Sequence, residues 1–145
     1  ETTDEETTEA EPVNDGSVNL LGYVTMEVPE GWAVDEASED KVKIKKADAG
    51  SFDFDNVTVE VSHNWSHESG EELAIEQNKN YGEKGTVSTV EINGVTYYKV
   101  SGVVDDDTQN MFITELDEDY YLEISVMYMP LDDGMPVVNA VVVNK

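Results

Sequence analysis

Four short runs alternate apolar and polar residues with a period of two, and this alternation is the tightest limit on what the chain can fold into. Val57, Val59 and Val61 alternate with Thr58, Glu60 and Ser62, and Val24, Met26 and Val28 alternate with Thr25 and Glu27 until Pro29 ends the run. Val42 and Ile44 stand between Lys41, Lys43 and Lys45. In the last run Leu122, Ile124, Val126 and Tyr128 share one side, with Tyr121, Met127 and Met129 on the other. Successive side chains of an extended strand point to opposite faces of a sheet, so each run buries at least one face. The lysines suit a strand guarding a sheet edge. Apolar residues on both sides of the last run imply a sheet covered on both faces.

Short turns join these runs, which makes the sheet mainly antiparallel. Val87 to Ile92 and Val95 to Val104 flank Asn93-Gly94, the pair that favours a two-residue hairpin turn. Met111 to Leu116 and Tyr120 to Tyr128 flank the acidic turn Asp117-Glu118-Asp119. Between the third and fourth strands the period changes. Ser69 followed by Glu72 is a capping box, and Glu71 and Glu72 suit the positive end of a helix dipole. The pattern predicts a helix from Ser69 to Tyr81, stopped by Gly82. The end of the chain carries two signals: Asp132-Asp133 suits a helix start, and the valines that follow suit a strand. The fold class expected is α+β, a mainly antiparallel β-sheet flanked by helices.

Residues 1–11 hold six acidic residues, four Thr and one Ala, which cannot bury enough surface to offset the entropy of ordering. Residues 1–17 are therefore expected to be a disordered acidic tether, with a single domain over 18–145. Such a tether suits a spacer behind a signal peptide or a lipidated cysteine of an exported protein. The chain has 33 acidic residues against 8 basic ones, all lysine, and a net charge of −25. A polyanion is repelled by that charge, and without arginine the usual reader of phosphate and guanine is missing, so nucleic acid is excluded as a partner. Cationic partners stay open. No apolar run is long enough to span a membrane, and the absence of cysteine removes disulfides, thiolate metal sites and thiol nucleophiles.

The Val28-Pro29-Glu30-Gly31-Trp32 turn, the helix after the third strand, the Ile92-Asn93-Gly94-Val95 hairpin and the strand Tyr120 to Val126 resemble the PsbP-like fold. This family is named for an extrinsic subunit of photosystem II and includes many uncharacterised bacterial lipoproteins. The resemblance spans most of 18–145 and implies an antiparallel sheet sandwiched between helices, an α/β/α arrangement. It transfers no functional residue, because the fold hosts unrelated roles.

His63 and His67 are the only histidines, at a spacing that on a helix would place both rings on one face as zinc ligands. Glu68, Glu71 or Glu72 can supply a third ligand; the plainer reading is two loop histidines. Asp105, Asp106 and Asp107 are the best of several acidic turns for calcium, since adjacent carboxylates repel unless neutralised. Solvated turns of an acidic protein are the plainer reading there too. Trp65, Tyr97, Tyr98, Tyr120 and Tyr121 can form an aromatic platform, although strand tyrosines more often pack at the core edge. Nucleophile-elbow, phosphate-loop and zinc-protease motifs do not occur.

These readings lead to a non-catalytic cell-envelope module, an extracellular lipoprotein of the bacterial surface, that uses no cofactor. It is expected to contact another envelope protein or a secreted ligand through an apolar patch around Tyr121, Met127 and Met129. A divalent-metal module built on His63, His67 or Asp105 to Asp107 is the first alternative. A carbohydrate or cell-wall enzyme with two carboxylates in a deep, aromatic-lined pocket is the second.

Overall fold

The computed structural model describes residues 13–14, 17–48, 50, 55–79, 86–104 and 107–144. In chain order the elements are β1 (Val13–Asn14), β2 (Ser17–Leu20), β3 (Val24–Glu27), β4 (Trp32–Ala37), β5 (Lys41–Lys46) and β6 (Asn56–His63). They continue with α1 (Gly70–Asn78), β7 (Thr86–Ile92), β8 (Val95–Val104), β9 (Asp107–Glu115), β10 (Tyr120–Met127), α2 (Leu131–Val138) and β11 (Val142–Val143). Seven strands form one sheet in the order β4-β5-β6-β10-β9-β8-β7, and four form a smaller sheet, β1-β2-β3-β11. Every pairing is antiparallel. The α+β class expected from the alternation is the class observed.

The centre of the large sheet is the β6–β10 pair, where Val57, Val59 and Val61 stand opposite Val126, Ile124 and Leu122. All six are buried, and Val18, Leu20, Val24 and Met26 of the small sheet join them in one core with Val137 and Val138 of α2. Each such side chain contributes about 1.5–3 kcal/mol on leaving water. The layer over this face is thus a small sheet plus one short helix. α2 sits close because Gly134 has no side chain: a Cβ there would lie 2.7 Å from Val126 Cγ1 and 3.2 Å from Val57 Cγ2.

The other face is covered only in part. α1 lies over β8 and β9, and a second cluster of Ala74, Val100, Met111 and Ile113 fills the space beneath it. The capping box forms as the sequence predicts: Glu72 N donates to Ser69 Oγ at 3.1 Å, and Ser69 N donates to Glu72 Oε1 at 2.9 Å. Gly70 is the contact point, donating its N–H to Glu115 Oε2 at 2.9 Å, and a Cβ there would stand 3.0 Å from the Tyr98 ring. Tyr81 and Gly82, the expected end of the helix, lie outside the described residues.

Several expectations are corrected. Val13 is paired with Val18 and Asn14 with Ser17, so strand pairing is present within the span expected to be a tether. Residues 1–12 lie outside the described residues. The lysine-bearing strand β5 is not an edge, because β4 pairs along its outer side. Tyr128 does not continue the buried row of β10. Its φ of 63° ends the strand, leaves its side chain 42% exposed and reverses the alternation. Met129 then turns into the main core, 3% exposed, on the face opposite Tyr121. At the C-terminus both signals hold: Asp132 and Asp133 occupy the first turn of α2, and Val142 and Val143 form β11 against β3.

Candidate functional site

The residues expected to form an apolar patch are separated. Tyr121 packs with the α1 cluster and hydrogen-bonds Ser62, and burial is the main cause that raises its phenol pKa. Met129 is in the main core and Met127 lies half-buried at the end of β10. The histidines are drawn to different partners. His63 belongs to an aromatic stack, whereas His67 is exposed and its Nδ1 donates to Glu118 O at 2.8 Å. Among the described residues no three His, Asp or Glu side chains are grouped to hold a metal ion. Asp105 and Asp106 lie outside the described residues, as does the side chain of Asp107.

What the chain does assemble is an aromatic and acidic surface at one end of the sheet. It is built from the end of β6, the loop that follows it, the β9–β10 turn and the β2–β3 turn. His63, the last residue of β6, stands opposite Tyr120, the first of β10. Their rings are 4.8 Å apart, and the Tyr120 ring lies 5.2 Å from that of Tyr23. On the outer side the Trp65 indole stacks on His63, with centroids 3.7 Å apart and planes within 16°. Trp65 nevertheless remains 80% exposed, the most exposed large apolar side chain among the described residues.

The loop under Trp65 is closed by one residue. Asn64 is 3% exposed, and its amide donates to Glu68 O at 2.8 Å while its Oδ1 accepts from Glu68 N at 3.0 Å. Asn64 N also donates to Asp119 O at 2.7 Å, which ties the loop to the acidic turn. A loop pinned at both ends presents its tryptophan at low entropic cost.

The turn is held by Asp117. Its Oδ1 accepts from the N–H groups of Asp119 and Tyr120 at 2.8 and 2.9 Å, and its Oδ2 accepts from the Tyr23 hydroxyl. These bonds, the Tyr23 bond foremost, hold the Asp117 carboxyl below the ordinary range, and the nearby His63 ring helps. The same bond pushes the Tyr23 phenol up to about 12. Tyr23 follows a tight turn in which Leu21 and Gly22 adopt φ of 54° and 79°, and Leu21 is itself 42% exposed. His63 Nδ1 is buried in the stack without a hydrogen-bond partner among the described residues.

A second polar surface lies on the part of the sheet that α1 leaves open. Lys41, Glu60 and Glu123 form one row across β5, β6 and β10. Burial, then the opposing Glu60, raises the Glu123 carboxyl above its ordinary pKa. Lys43 pairs with Glu36 at 3.7 Å. Two open depressions lie along β4 and β5, one of about 460 Å³ beside Lys45 and Lys46, the other beside Glu36 and Lys43. Among the described residues no aromatic side chain lines either of them.

The sequence placed Trp65 in a candidate platform with four tyrosines and favoured packing at the core edge for the strand tyrosines. Tyr97 is 1% exposed, whereas Trp65, which lies outside the strands, is 80% exposed. The available signal was the two-residue spacing of His63 and Trp65, which puts side chains on one side of an extended segment.

No protein-family model matches the chain, and no curated protein matches it. Among solved structures it is similar to a protein from Bacteroides thetaiotaomicron VPI-5482, with a TM-score of 0.54 and 14% identity over 87% of this chain. That match covers 47% of the Bacteroides protein, so the chain spans about half its length. It is also similar to cyanobacterial PsbP (CyanoP) from Synechocystis sp. PCC 6803, with a TM-score of 0.51 and 10% identity, covering 83% of this chain and 86% of that one. At these identities the likeness concerns the fold alone, and the fold is PsbP-like.

Proposed function

We propose that this protein is a non-catalytic binding module of the bacterial cell envelope, part of an exported lipoprotein, that contacts an envelope protein or secreted ligand through its aromatic end. The observation that carries this reading is Trp65, 80% exposed yet held in place by the His63 ring. An indole left in water forfeits burial worth several kcal/mol on the scale of other aromatic side chains, and aromatic anchors are what interfaces use most. The Thr- and Glu-rich lead-in supports the surface placement, and the cysteine-free composition fits it.

Co-sedimentation with isolated cell envelopes tests the reading. Wild-type protein is expected to sediment with them, and Trp65→Ala, folded to the same melting temperature, to stay largely in solution. Equal sedimentation of the two proteins would refute it.

A further inference from the structure

One face of the Trp65 indole is occupied by His63 and the ring remains 80% exposed, so its other face meets solvent. The open face of an indole is the best aromatic seat for a cation. The loop bearing it is laced to the Asp117 to Asp119 turn by the Asn64 to Asp119 and His67 to Glu118 hydrogen bonds. Asp117 is engaged by the N–H groups of its own turn and by the Tyr23 hydroxyl, whereas Glu118 and Asp119 are exposed and their carboxylates have no hydrogen bond or ion pair among the described residues. Lys43 pairs with Glu36 and Lys79 with Glu76, both away from this turn. An open π-face on a loop hydrogen-bonded to the turn that bears these carboxylates, on a chain of net charge −25, has the chemistry of a cation receptor.

We propose that the outward face of Trp65 receives a guanidinium or ammonium group carried by a basic segment of a partner protein, with Glu118 and Asp119 flanking it. This rests on the aromatic end being the contact surface and names the chemistry that it recognises. A neutral sugar can stack on an indole, but it would leave the carboxylates of the turn without a charge to balance. The charge pattern therefore favours the basic segment.

The probe is a blocked tetra-arginine peptide, titrated into the intact chain while tryptophan emission is followed; an N-acetylglucosamine trimer and a neutral tetra-glutamine peptide serve as comparisons. Tetra-arginine is expected to shift the emission saturably, and Trp65→Ala to abolish that shift and weaken affinity about two- to fivefold. Trp65→Phe should restore part of the affinity. Glu118→Gln combined with Asp119→Asn should weaken binding severalfold without lowering the melting temperature, and about 0.5 M sodium chloride should have a similar effect. Tetra-arginine binding that is undiminished in Trp65→Ala overturns the proposal, because it reports only attraction to an acidic surface. A response of Trp65 to the trimer and not to tetra-arginine overturns the cation while leaving the aromatic end as a contact surface. No response to either also overturns it. Envelope sedimentation that still depends on Trp65 would then show that only the ligand class was wrong.

Discussion

The Tyr23 hydroxyl donates to Asp117 Oδ2 across 94 positions of sequence, tying the small sheet's β2–β3 turn to the large sheet's β9–β10 turn. This bond holds the two sides of the aromatic end together, and it shifts both groups away from their ordinary pKa values, Tyr23 up to about 12 and Asp117 down. Asp117 is depressed in the folded state, so its contribution to stability is present above its unfolded pKa and is lost as the pH falls through the folded one. In Tyr23→Phe the Asp117 carboxyl, followed by carbon NMR, should titrate closer to the ordinary aspartate range near pH 4. An unmoved midpoint would show that the backbone bonds alone set it.

Glu123 carries the opposite sign. Its carboxyl is raised by burial and by Glu60 across the β6–β10 pair, so the folded state binds its proton more tightly than the unfolded chain does. Its contribution to stability is then fully present below the unfolded glutamate pKa and is lost as the pH rises through the folded value. Glu123→Gln should therefore raise the melting temperature at neutral pH and leave it nearly unchanged at about pH 3, below the ordinary glutamate range. Melts at the two pH values check this.

Gly134 is required by contact and not by backbone angle, since an added Cβ would come within 2.7 Å of Val126 Cγ1. Gly134→Ala should destabilise: overpacking costs about 1–3 kcal/mol, offset in part by about 1 kcal/mol of helix propensity. Val126→Ala makes room, so denaturant titration of the double variant should show less destabilisation than the sum of the two single changes.

Loss of the Ser69 hydroxyl removes the donor's partner at the start of α1. Ser69→Ala should cost about 1 kcal/mol, seen first as faster amide exchange in the first turn of the helix. Because α1 covers only the Val100 and Ile113 cluster, the β6–β10 centre should keep its protection.

Where local chemistry decided the outcome, the sequence could be read directly. Val57, Val59 and Val61 are buried as their alternation requires, both halves of the Ser69 and Glu72 box form, and Asn93 and Gly94 take φ of 53° and 79°, as a two-residue hairpin turn demands. What tertiary context decides was hidden. β4 has only Trp32 and Val34 facing inward and a register shift after Val34, too weak an alternation to read as a strand. Nothing local announces the left-handed backbone at Tyr128, yet that single residue sends Met129 into the core and dissolves the expected patch with Tyr121. The site was legible in its parts, an acidic turn and a histidine two residues before a tryptophan. The chain brings them together only through the β6–β10 register and the Asn64 clamp, both long-range or context-dependent.

The central claim is that Trp65 is a contact residue and not merely an exposed one. Hydroxyl-radical footprinting of the wild-type chain, with and without isolated cell envelopes, tests it most directly, because Ile75, Tyr128 and Val142 are exposed apolar residues outside the site and serve as internal controls. Selective protection of Trp65, with those three labelled as in free protein, is the predicted result. Protection of Ile75, Tyr128 or Val142 while Trp65 stays fully labelled would contradict the account and move the contact surface elsewhere.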